Sequence, residues 1–161
     1  CYINFMWLNT YFSKGGYMED YNLQKSLGFK LELASRLTTG NFSKKLKEDK
    51  FPITPEQWGV INFLLHEDGL TQNQISKLVG KDHTCVSRLI ENLIKKNIVK
   101  KIPDADDKRI NLIYLTEEGK KIQNNVVPTV KENLYKVFAN VTDEEKIIFS
   151  KVLDKIIKNL E

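Results

Sequence analysis

The apolar residues between positions 70 and 96 follow a helical period that stops once and then restarts. Thr71 and Gln74 have the spacing of a capping box at the start of a short helix. Gly80 can end that helix in the left-handed conformation, and Asp82 can cap the next one. This order predicts two helices joined by a tight turn. Their apolar stripes are Ile75, Leu78 and Val79 in the first helix, and Val86, Leu89, Ile90 and Leu93 in the second.

The second helix has a polar outer face, and an extended pattern follows it. Asn97 tolerates the left-handed conformation that ends helices. Residues 98–102 and 110–115 have the composition of strands, and the segment between them is a turn rich in Asp. The sequence therefore predicts a hairpin wing and, with the two helices, a winged helix-turn-helix that holds DNA. The outward or flanking positions of the second helix are His83, Thr84, Ser87, Arg88, Glu91 and Lys95.

The net charge of the chain is concentrated in this stretch. Between residues 77 and 109, nine lysines and arginines stand against five acids, an excess equal to the +4 of the whole chain. A positive charge that coincides with a hydrogen-bonding helix and a charged hairpin is typical of a phosphate-binding surface. The alternative is a solvated basic face on a helical protein. The nine are Lys77, Lys81, Arg88, Lys95, Lys96, Lys100, Lys101, Lys108 and Arg109.

The chain outside this module has the pattern of a helical protein. Apolar residues recur at helical spacing in a first segment, residues 21–48, and in three later segments. Helix starts and one break are predicted from caps and prolines. The predicted starts are Thr54, with Pro55 at the first helical position, Thr116 and Thr142. Pro128 is predicted to kink or interrupt the helix that runs to residue 136.

The first and last helices carry more apolar surface than a small winged domain can cover. DNA readers of this size usually dimerise to reach two half-sites about 34 Å apart. We therefore predict a homodimer that binds double-stranded DNA with an inverted repeat. The predicted fold is mainly α with a small β-hairpin wing. Its parts are an atypical extension over residues 1–17, a dimerisation helix and linker over 18–52, a winged helix-turn-helix over 53–116, and C-terminal dimerisation helices over 117–161.

Length and composition exclude several other classes of protein. At 161 residues with 41% hydrophobic content, the chain is one globular domain with or without helical extensions. No segment is long enough to span a bilayer, and two distant cysteines favour a reducing cytoplasm over a disulfide framework. His66 and His83 have no neighbouring ligands for zinc. Because the sequence has no phosphate loop, nucleophile elbow or metal-ligand motif, we expect neither an enzyme nor a cofactor.

The order of elements resembles the multiple antibiotic resistance regulator (MarR) family of bacterial transcription factors. The resemblance runs from about residue 21 to the C-terminus and is most specific in LTQNQISKLVGKDHTCVSRLIENLIKKNIV and DADDKRINLIYLTEEG. The second segment holds the family's Asp-x-Arg pattern as Asp107 and Arg109. The chain departs from the family at Asn97, where glycine is usual, and at Ile94, where an acid is frequent. The resemblance implies a DNA-binding regulator, most often a repressor.

The resemblance also implies roles for the polar residues of the module. Thr84, Ser87 and Arg88 would enter the major groove, where hydroxyls serve several base edges or phosphates and Arg forks onto guanine. Arg109 would enter the minor groove, steered by Asp107 through a charge-assisted bond. The alternative for Arg109 is a surface ion pair with no role in DNA binding. The other predicted DNA contacts are Lys81, His83 and Lys95, to phosphates, and Lys108 on the wing.

Regulation is predicted on the same basis. Many members of the family respond to a small, often aromatic or phenolic ligand held between the dimer helices and the winged module. Trp58 and His66 are therefore candidate ligand-binding residues, with the alternative that the aromatic belongs to the core. Cys85 raises the alternative of a redox-responsive regulator, although a small buried hydrophobic role is the favoured interpretation. A further alternative is a winged-helix module that binds an acidic protein.

The first seventeen residues differ from the rest because they are aromatic and nearly uncharged. They lack the basic start and the cleavage site of a signal peptide, and they end just before Met18. The segment Lys14-Gly15-Gly16 can be encoded by a purine-rich stretch that resembles a bacterial ribosome-binding site upstream of a start codon. The hypothesis is that residues 1–17 arise from translation of sequence upstream of the gene start. The alternative is a genuine N-terminal arm.

Overall fold

The computed structural model describes residues 22–160, so the predictions for residues 1–17 lie outside the described part of the chain. The described residues divide into two units, 22–37 and 38–160. Within the described residues a short 3-10 helix, Leu23–Lys25, precedes six α-helices and three strands. They are α1 Leu27–Glu48, α2 Pro55–His66, β1 Leu70–Thr71, α3 Gln72–Val79, α4 His83–Lys95, β2 Val99–Pro103, β3 Asn111–Leu115, α5 Glu117–Val137 and α6 Asp143–Lys158.

The first long helix begins later than its apolar pattern predicts. Ser26 is extended, and its hydroxyl accepts a hydrogen bond from the backbone N–H of Phe29 at 3.2 Å. This cap starts α1 at Leu27 and leaves Leu23 in the separate 3-10 helix. The predicted continuous helix from residue 21 is therefore wrong at its start, because a local serine cap interrupts a period that the leucines alone would continue.

Side-chain caps set the other helix starts where the sequence predicts them. Thr54 and Thr71 each form a capping box with the glutamine three residues later, and Thr142 forms one with Glu145. The carboxylate of Asp82 accepts the backbone N–H of Cys85 at 2.8 Å and so caps α4. Gly80 and Asn97 both have positive φ, 63° and 56°, and end α3 and the turn after α4. The predicted tight turn between α3 and α4 is confirmed.

The sheet contains one strand more than the predicted hairpin. Its order is β1-β3-β2, and all pairs are antiparallel. The wing strands β2 and β3 each begin one residue later than predicted. The additional strand, β1, has only two residues and pairs Leu70 with Ile113. The carboxylate of Asp68 accepts the backbone N–H of Leu115 at 2.9 Å and extends this attachment beyond the strand.

The hydrophobic core lies where α2, α3 and α4 pack on the sheet and on the adjoining parts of α1 and α5. The stripe of α4 is buried as predicted at Val86, Ile90 and Leu93, with Leu89 partly buried. In α3 only Ile75 is buried, whereas Leu78 is 45% exposed. The fully buried side chains are Leu46, Val60, Ile61, Leu64, Ile75, Val86, Ile90, Leu93, Ile98, Val99, Ile113 and Val126.

The two C-terminal helices differ in how much of their surface is covered. Helix α5 continues through Pro128, so the predicted interruption does not occur. Buried residues on both sides of the proline, Val126 and Thr129, hold the helix together despite the lost backbone hydrogen bond. Helix α6 has no buried residue in the single chain, and its large apolar side chains are exposed. Those exposed by more than two fifths are Ile147, Ile148, Phe149, Val152 and Ile157.

The junction between the wing and α5 has no room for a side chain at Gly119. A Cβ atom there would overlap the backbone carbonyl oxygen of Ile98. The hydroxyl of Thr116 donates to the same carbonyl at 3.1 Å and accepts the N–H of Gly119 at 3.0 Å. We predict that Gly119→Ala lowers the free energy of unfolding by about 3 kcal/mol, because a backbone atom must move to admit the methyl group. Urea unfolding measures this change.

Gly59→Ala is the matched control, because a Cβ at Gly59 in α2 meets open space. This variant should raise the free energy of unfolding by about 0.5 to 1 kcal/mol, through the better helix propensity of alanine. Equal stability of the two variants would contradict the close packing described at Gly119.

Candidate DNA-binding surface

Helix α4 separates an apolar face from a polar one. Its N-terminus follows the turn at Gly80 and is capped by Asp82. The buried stripe holds α4 against the core, so the remaining positions face outward. Among the predicted DNA contacts, Ser87 is half-buried and the others on or beside this helix are exposed. The exposed ones are Lys81, His83, Thr84, Arg88 and Lys95.

The tip of the wing is a folded loop. The carboxylate of Asp104 accepts the backbone N–H groups of Asp106 and Asp107 at 2.9 and 3.0 Å. The backbone N–H of Ile110 donates to the carbonyl of Asp107 at 2.9 Å, and that of Asp104 donates to the carbonyl of Ile110. These bonds close the loop between β2 and β3 and give residues 107–109 a defined position.

Asp107 holds Arg109 in a two-point ion pair. Nε and Nη2 of Arg109 donate to the two carboxylate oxygens of Asp107, each at 2.9 Å, and the backbone N–H of Arg109 adds a third bond at 3.0 Å. The Arg109 side chain is nevertheless 91% exposed. A planar guanidinium that is oriented on one edge keeps its remaining donors free for an outside acceptor. The predicted contact between these two residues is confirmed, but contact with DNA stays a prediction.

The ion pair also changes the acidity of both partners. Hydrogen bonds from the side chain and then the backbone of Arg109 lower the pKa of Asp107 below its ordinary value. The side-chain bond to Asp107 raises the pKa of Arg109 above its ordinary value. A carboxyl with a lowered pKa stays ionised throughout the neutral pH range. The two-point ion pair between Asp107 and Arg109, called the fork below, is therefore present at neutral pH and is lost only as the pH falls through the lowered pKa.

The lysines of the module fall into two groups. The ammonium groups of Lys81, Lys95 and Lys108 make no hydrogen bond or ion pair with any residue from 22 to 160. These three are therefore free to meet phosphates. Lys96 is different, because its ammonium donates to the carbonyl of Pro52 at 2.6 Å and to Oε1 of Gln57 at 3.2 Å. The charge pattern counts Lys96 with the free bases, and only the folded chain shows its two acceptors.

The candidate ligand residues lie on α2. Trp58 is partly buried and packs on the core, and His66 is the exposed last residue of the helix. Neither residue lines either of two well-formed cavities among the described residues. One, of about 280 Å³, is polar and lies between α1 and α5, and the other, of about 610 Å³, lies at the α5–α6 connection. A role for Trp58 and His66 in ligand binding therefore stays a prediction.

The smaller cavity is spanned by a polar network. Its lining includes Asn41, Lys45 and Glu132. Lys45 pairs with Glu132 at 3.2 Å, and the hydrogen bond that the lysine donates to this carboxylate raises the pKa of Lys45. Asn41 donates to the buried Asn133. Beside the cavity, the hydroxyl of Thr129 donates to Asp49 at 2.6 Å. These polar groups are thus partnered with one another.

Three other features of the described residues bear on the predictions from sequence. Cys85 is half-buried within α4, whereas the favoured interpretation places it in the core. It misses the buried stripe because it precedes Val86 by one residue, about 100° around the helix. Residues 22–160 contain no group of three or more His, Cys, Asp or Glu side chains placed to hold a metal ion. They also contain no helix that is long and apolar enough to cross a membrane.

Sequence comparisons place this surface in a known group of proteins. A profile of the MarR family matches residues 51–110, which include α2, α3, α4, β2 and the wing loop. The HTH-type transcriptional regulator YsmB of Bacillus subtilis is 30% identical over 108 residues, which cover 67% of this chain and 74% of that protein. The HTH-type transcriptional regulator SarZ of Staphylococcus epidermidis is 30% identical over 129 residues, which cover 80% of this chain and 84% of that protein.

Solved structures show the same fold. The MepR–DNA complex of S. aureus has a TM-score of 0.75 and 26% identity, and the match covers 86% of this chain and 99% of that one. The PcaV regulator of Streptomyces coelicolor in complex with its natural ligand has a TM-score of 0.80 and 20% identity, over 89% of this chain and 100% of that one. With its winged helix-turn-helix and its matches to HTH-type regulators, the chain belongs to the MarR family of non-enzymatic, DNA-binding transcriptional regulators.

Proposed function

We propose that this regulator is a homodimeric repressor that reads an inverted repeat in double-stranded DNA and is released by a small ligand. Membership of the MarR family accounts for DNA binding and transcriptional regulation. The observation that carries the more specific proposal is the wing, where Asp107 holds an exposed Arg109 by two side-chain hydrogen bonds. A solvent-exposed ion pair contributes little to stability, so its fixed geometry is better explained by a role in recognition.

The polar face of α4 is proposed to read the major groove. Thr84 and Arg88 are exposed, and Ser87 beside them is half-buried. Their hydroxyls and guanidinium match the acceptors and donors on base edges. Lys81, Lys95, Lys108 and His83 are proposed to contact phosphates, which position the protein without reading sequence. This assignment follows from exposure and from the absence of competing partners for the three lysines within residues 22–160.

Arg109 is proposed to enter the minor groove. Narrow minor grooves concentrate negative potential and attract arginine. The fork with Asp107 limits the rotation of the side chain, so less conformational freedom is lost when the guanidinium meets DNA. The remaining donors of the guanidinium then face the groove.

A second copy of the chain is proposed to cover α6. Three of the exposed apolar residues of this helix, Ile148, Phe149 and Val152, share one side. The other side carries Lys151, Asp154 and Lys158. Leu134 and Tyr135 near the end of α5 are also exposed, at 44% and 84%. A two-fold dimer that buries these side chains would present two recognition helices to the two halves of an inverted repeat.

Release by a small aromatic ligand is proposed from structural relatives. PcaV has been solved with its natural ligand, and DNA binding by BpsR of Bordetella bronchiseptica is regulated by 6-hydroxynicotinic acid. For this chain the proposed ligand contacts are Trp58 and His66 on α2. A ligand can release DNA only if it binds the DNA-competent and DNA-incompetent dimers with different affinity. We propose that the protein acts in the cytoplasm, because a bacterial regulator meets its DNA there.

The first test concerns Arg109. Arg109→Ala should weaken binding to the DNA upstream of the protein's own gene by about tenfold or more, because it removes a groove contact and a positive charge. Arg109→Lys keeps the charge but not the fork, and should recover binding to a scrambled duplex without recovering the preference for the native one. Fluorescence anisotropy measures all three proteins. Equal preference in wild type and Arg109→Ala would contradict the proposed role of the wing.

The second test separates the fork from simple charge. Asp107→Ala frees Arg109 and should reduce the preference for the native duplex over the scrambled one by several-fold, an effect on the order of a lost hydrogen bond. Its control, Asp106→Ala, removes the same charge from a side chain that forms no hydrogen bond or ion pair with Arg109 and should only strengthen binding to both duplexes. The preference should stay constant across the neutral range, because the pKa of Asp107 lies below its ordinary value. Equal effects of the two variants would mean that the fork does not direct Arg109.

The third test concerns the dimer. The double variant Ile148→Glu with Val152→Glu places charges on the apolar side of α6 and should convert the protein to a folded monomer, because buried unpaired charges are costly. Lys151→Glu changes the charged side of the same helix and should leave the dimer intact. Sedimentation velocity gives the oligomeric state, and circular dichroism shows that the helices persist. A dimer that survives the double variant would contradict an α6 interface.

A further inference from the structure

Lys96 joins three segments that are distant in sequence. It is the C-terminal cap residue of α4, and its ammonium donates to the carbonyl of Pro52 at 2.6 Å and to Oε1 of Gln57 at 3.2 Å. Pro52 lies in the linker between α1 and α2, and Gln57 lies in the first turn of α2. One side chain thus ties the end of the recognition helix to the entry of α2.

The acceptor end of this connection is itself held in place. Gln57 is only 3% exposed, and the same Oε1 atom accepts the backbone N–H of Thr54 at 3.2 Å. The backbone N–H of Gln57 donates to the hydroxyl of Thr54 at 3.3 Å and completes the capping box. The neighbouring Ile53 is also buried. Lys96 therefore has one buried and fixed acceptor, Gln57, and a second acceptor in the exposed Pro52, and the bond to Gln57 ties its ammonium to α2.

Lys96 and the adjacent Lys95 are both exposed, but they differ in their contacts. Lys95 is exposed and makes no hydrogen bond or ion pair with any residue that the structure describes. Both lysines carry the same charge at the same end of α4. They differ in that Lys96 has protein acceptors and Lys95 has none among residues 22–160. The pair is therefore a natural comparison between a tied base and a free base.

We propose that Lys96 is a positioning residue for DNA recognition: it fixes the orientation of α4 and does not bind a phosphate. This inference rests on the proposed use of α4 in the major groove. The buried stripe of Val86, Ile90 and Leu93 holds one face of the helix, but packing of apolar groups is not directional. Two directed bonds at the C-terminal end restrain the tilt of a helix of 13 residues, about 20 Å long, whose N-terminal half carries Thr84 and Ser87.

The experiment compares Lys96→Met with Lys95→Met. Each substitution removes one ammonium group and keeps an unbranched side chain. A preferred duplex is first selected from a random pool with the wild-type protein, and a scrambled duplex of equal composition serves as the second probe. Anisotropy then gives the affinity of all three proteins for both duplexes at several salt concentrations.

A positioning role and a phosphate contact predict different results. Lys96→Met should lose about tenfold in affinity for the selected duplex, as expected for bonds from a charged donor, and little for the scrambled one. Its dependence of log affinity on log salt should match that of wild type. Lys95→Met should lose affinity for both duplexes, and its salt slope should fall by about 0.9. A slope reduced by about 0.9 in Lys96→Met, or unchanged affinity for both duplexes, would overturn the proposal.

A DNA-free measurement keeps this inference separate from the proposed function. In hydrogen exchange on the full chain, Lys96→Met should exchange faster at the Thr54 amide and in the last turn of α4, and Lys95→Met should match wild type. Unchanged exchange in Lys96→Met would refute the connection. If wild type selects no duplex, the proposed sequence-specific function fails, while this exchange comparison still decides whether Lys96 restrains α4.

Discussion

The burial of one side of α4 is the constraint on which the winged module depends. Val86, Ile90 and Leu93 are each fully buried, and they hold α4 against α2, α3 and the sheet. Because this face is committed to the core, the polar residues of the same helix must face outward. The start of α4 is set by the turn at Gly80 and the cap at Asp82, and the turn after the helix is set by the left-handed conformation of Asn97. One side of α4 thus belongs to the core, and the other side belongs to the candidate DNA-binding surface.

The basic residues of the module have similar chemistry but differ in the contacts that they make. Arg109 is oriented by a carboxylate on an exposed loop, Lys95 has no partner among the described residues, and Lys96 is bound to the protein itself. Net charge attracts DNA through all of them, since the field of a surface does not depend on which contacts each side chain makes. The direction of a side chain, in contrast, depends on its partners, and Asp107 sets that of Arg109.

The C-terminal helices raise a different physical problem. No residue of helix α6 is fully buried within the single chain, and several of its large apolar side chains are exposed. Such a surface is unfavourable in water and is typical of an interface. The polar network between α1 and α5, by contrast, is satisfied internally by pairs such as Lys45 with Glu132 and Asn41 with Asn133.

Local rules determined much of this protein from sequence alone. Some features depend only on neighbours within a few residues, so the sequence predicts them. They are the caps at Thr54, Thr71 and Thr142, the turn at Gly80 and the apolar stripe of α4. Tertiary structure alone decided the features that join distant segments. They are the strand β1 on β3, the exposure of Leu78, the close approach of Gly119 to Ile98, and the bonds from Lys96 to Pro52 and Gln57. No local period encodes such contacts, because each requires an acceptor or a surface that exists only after the other segment has packed.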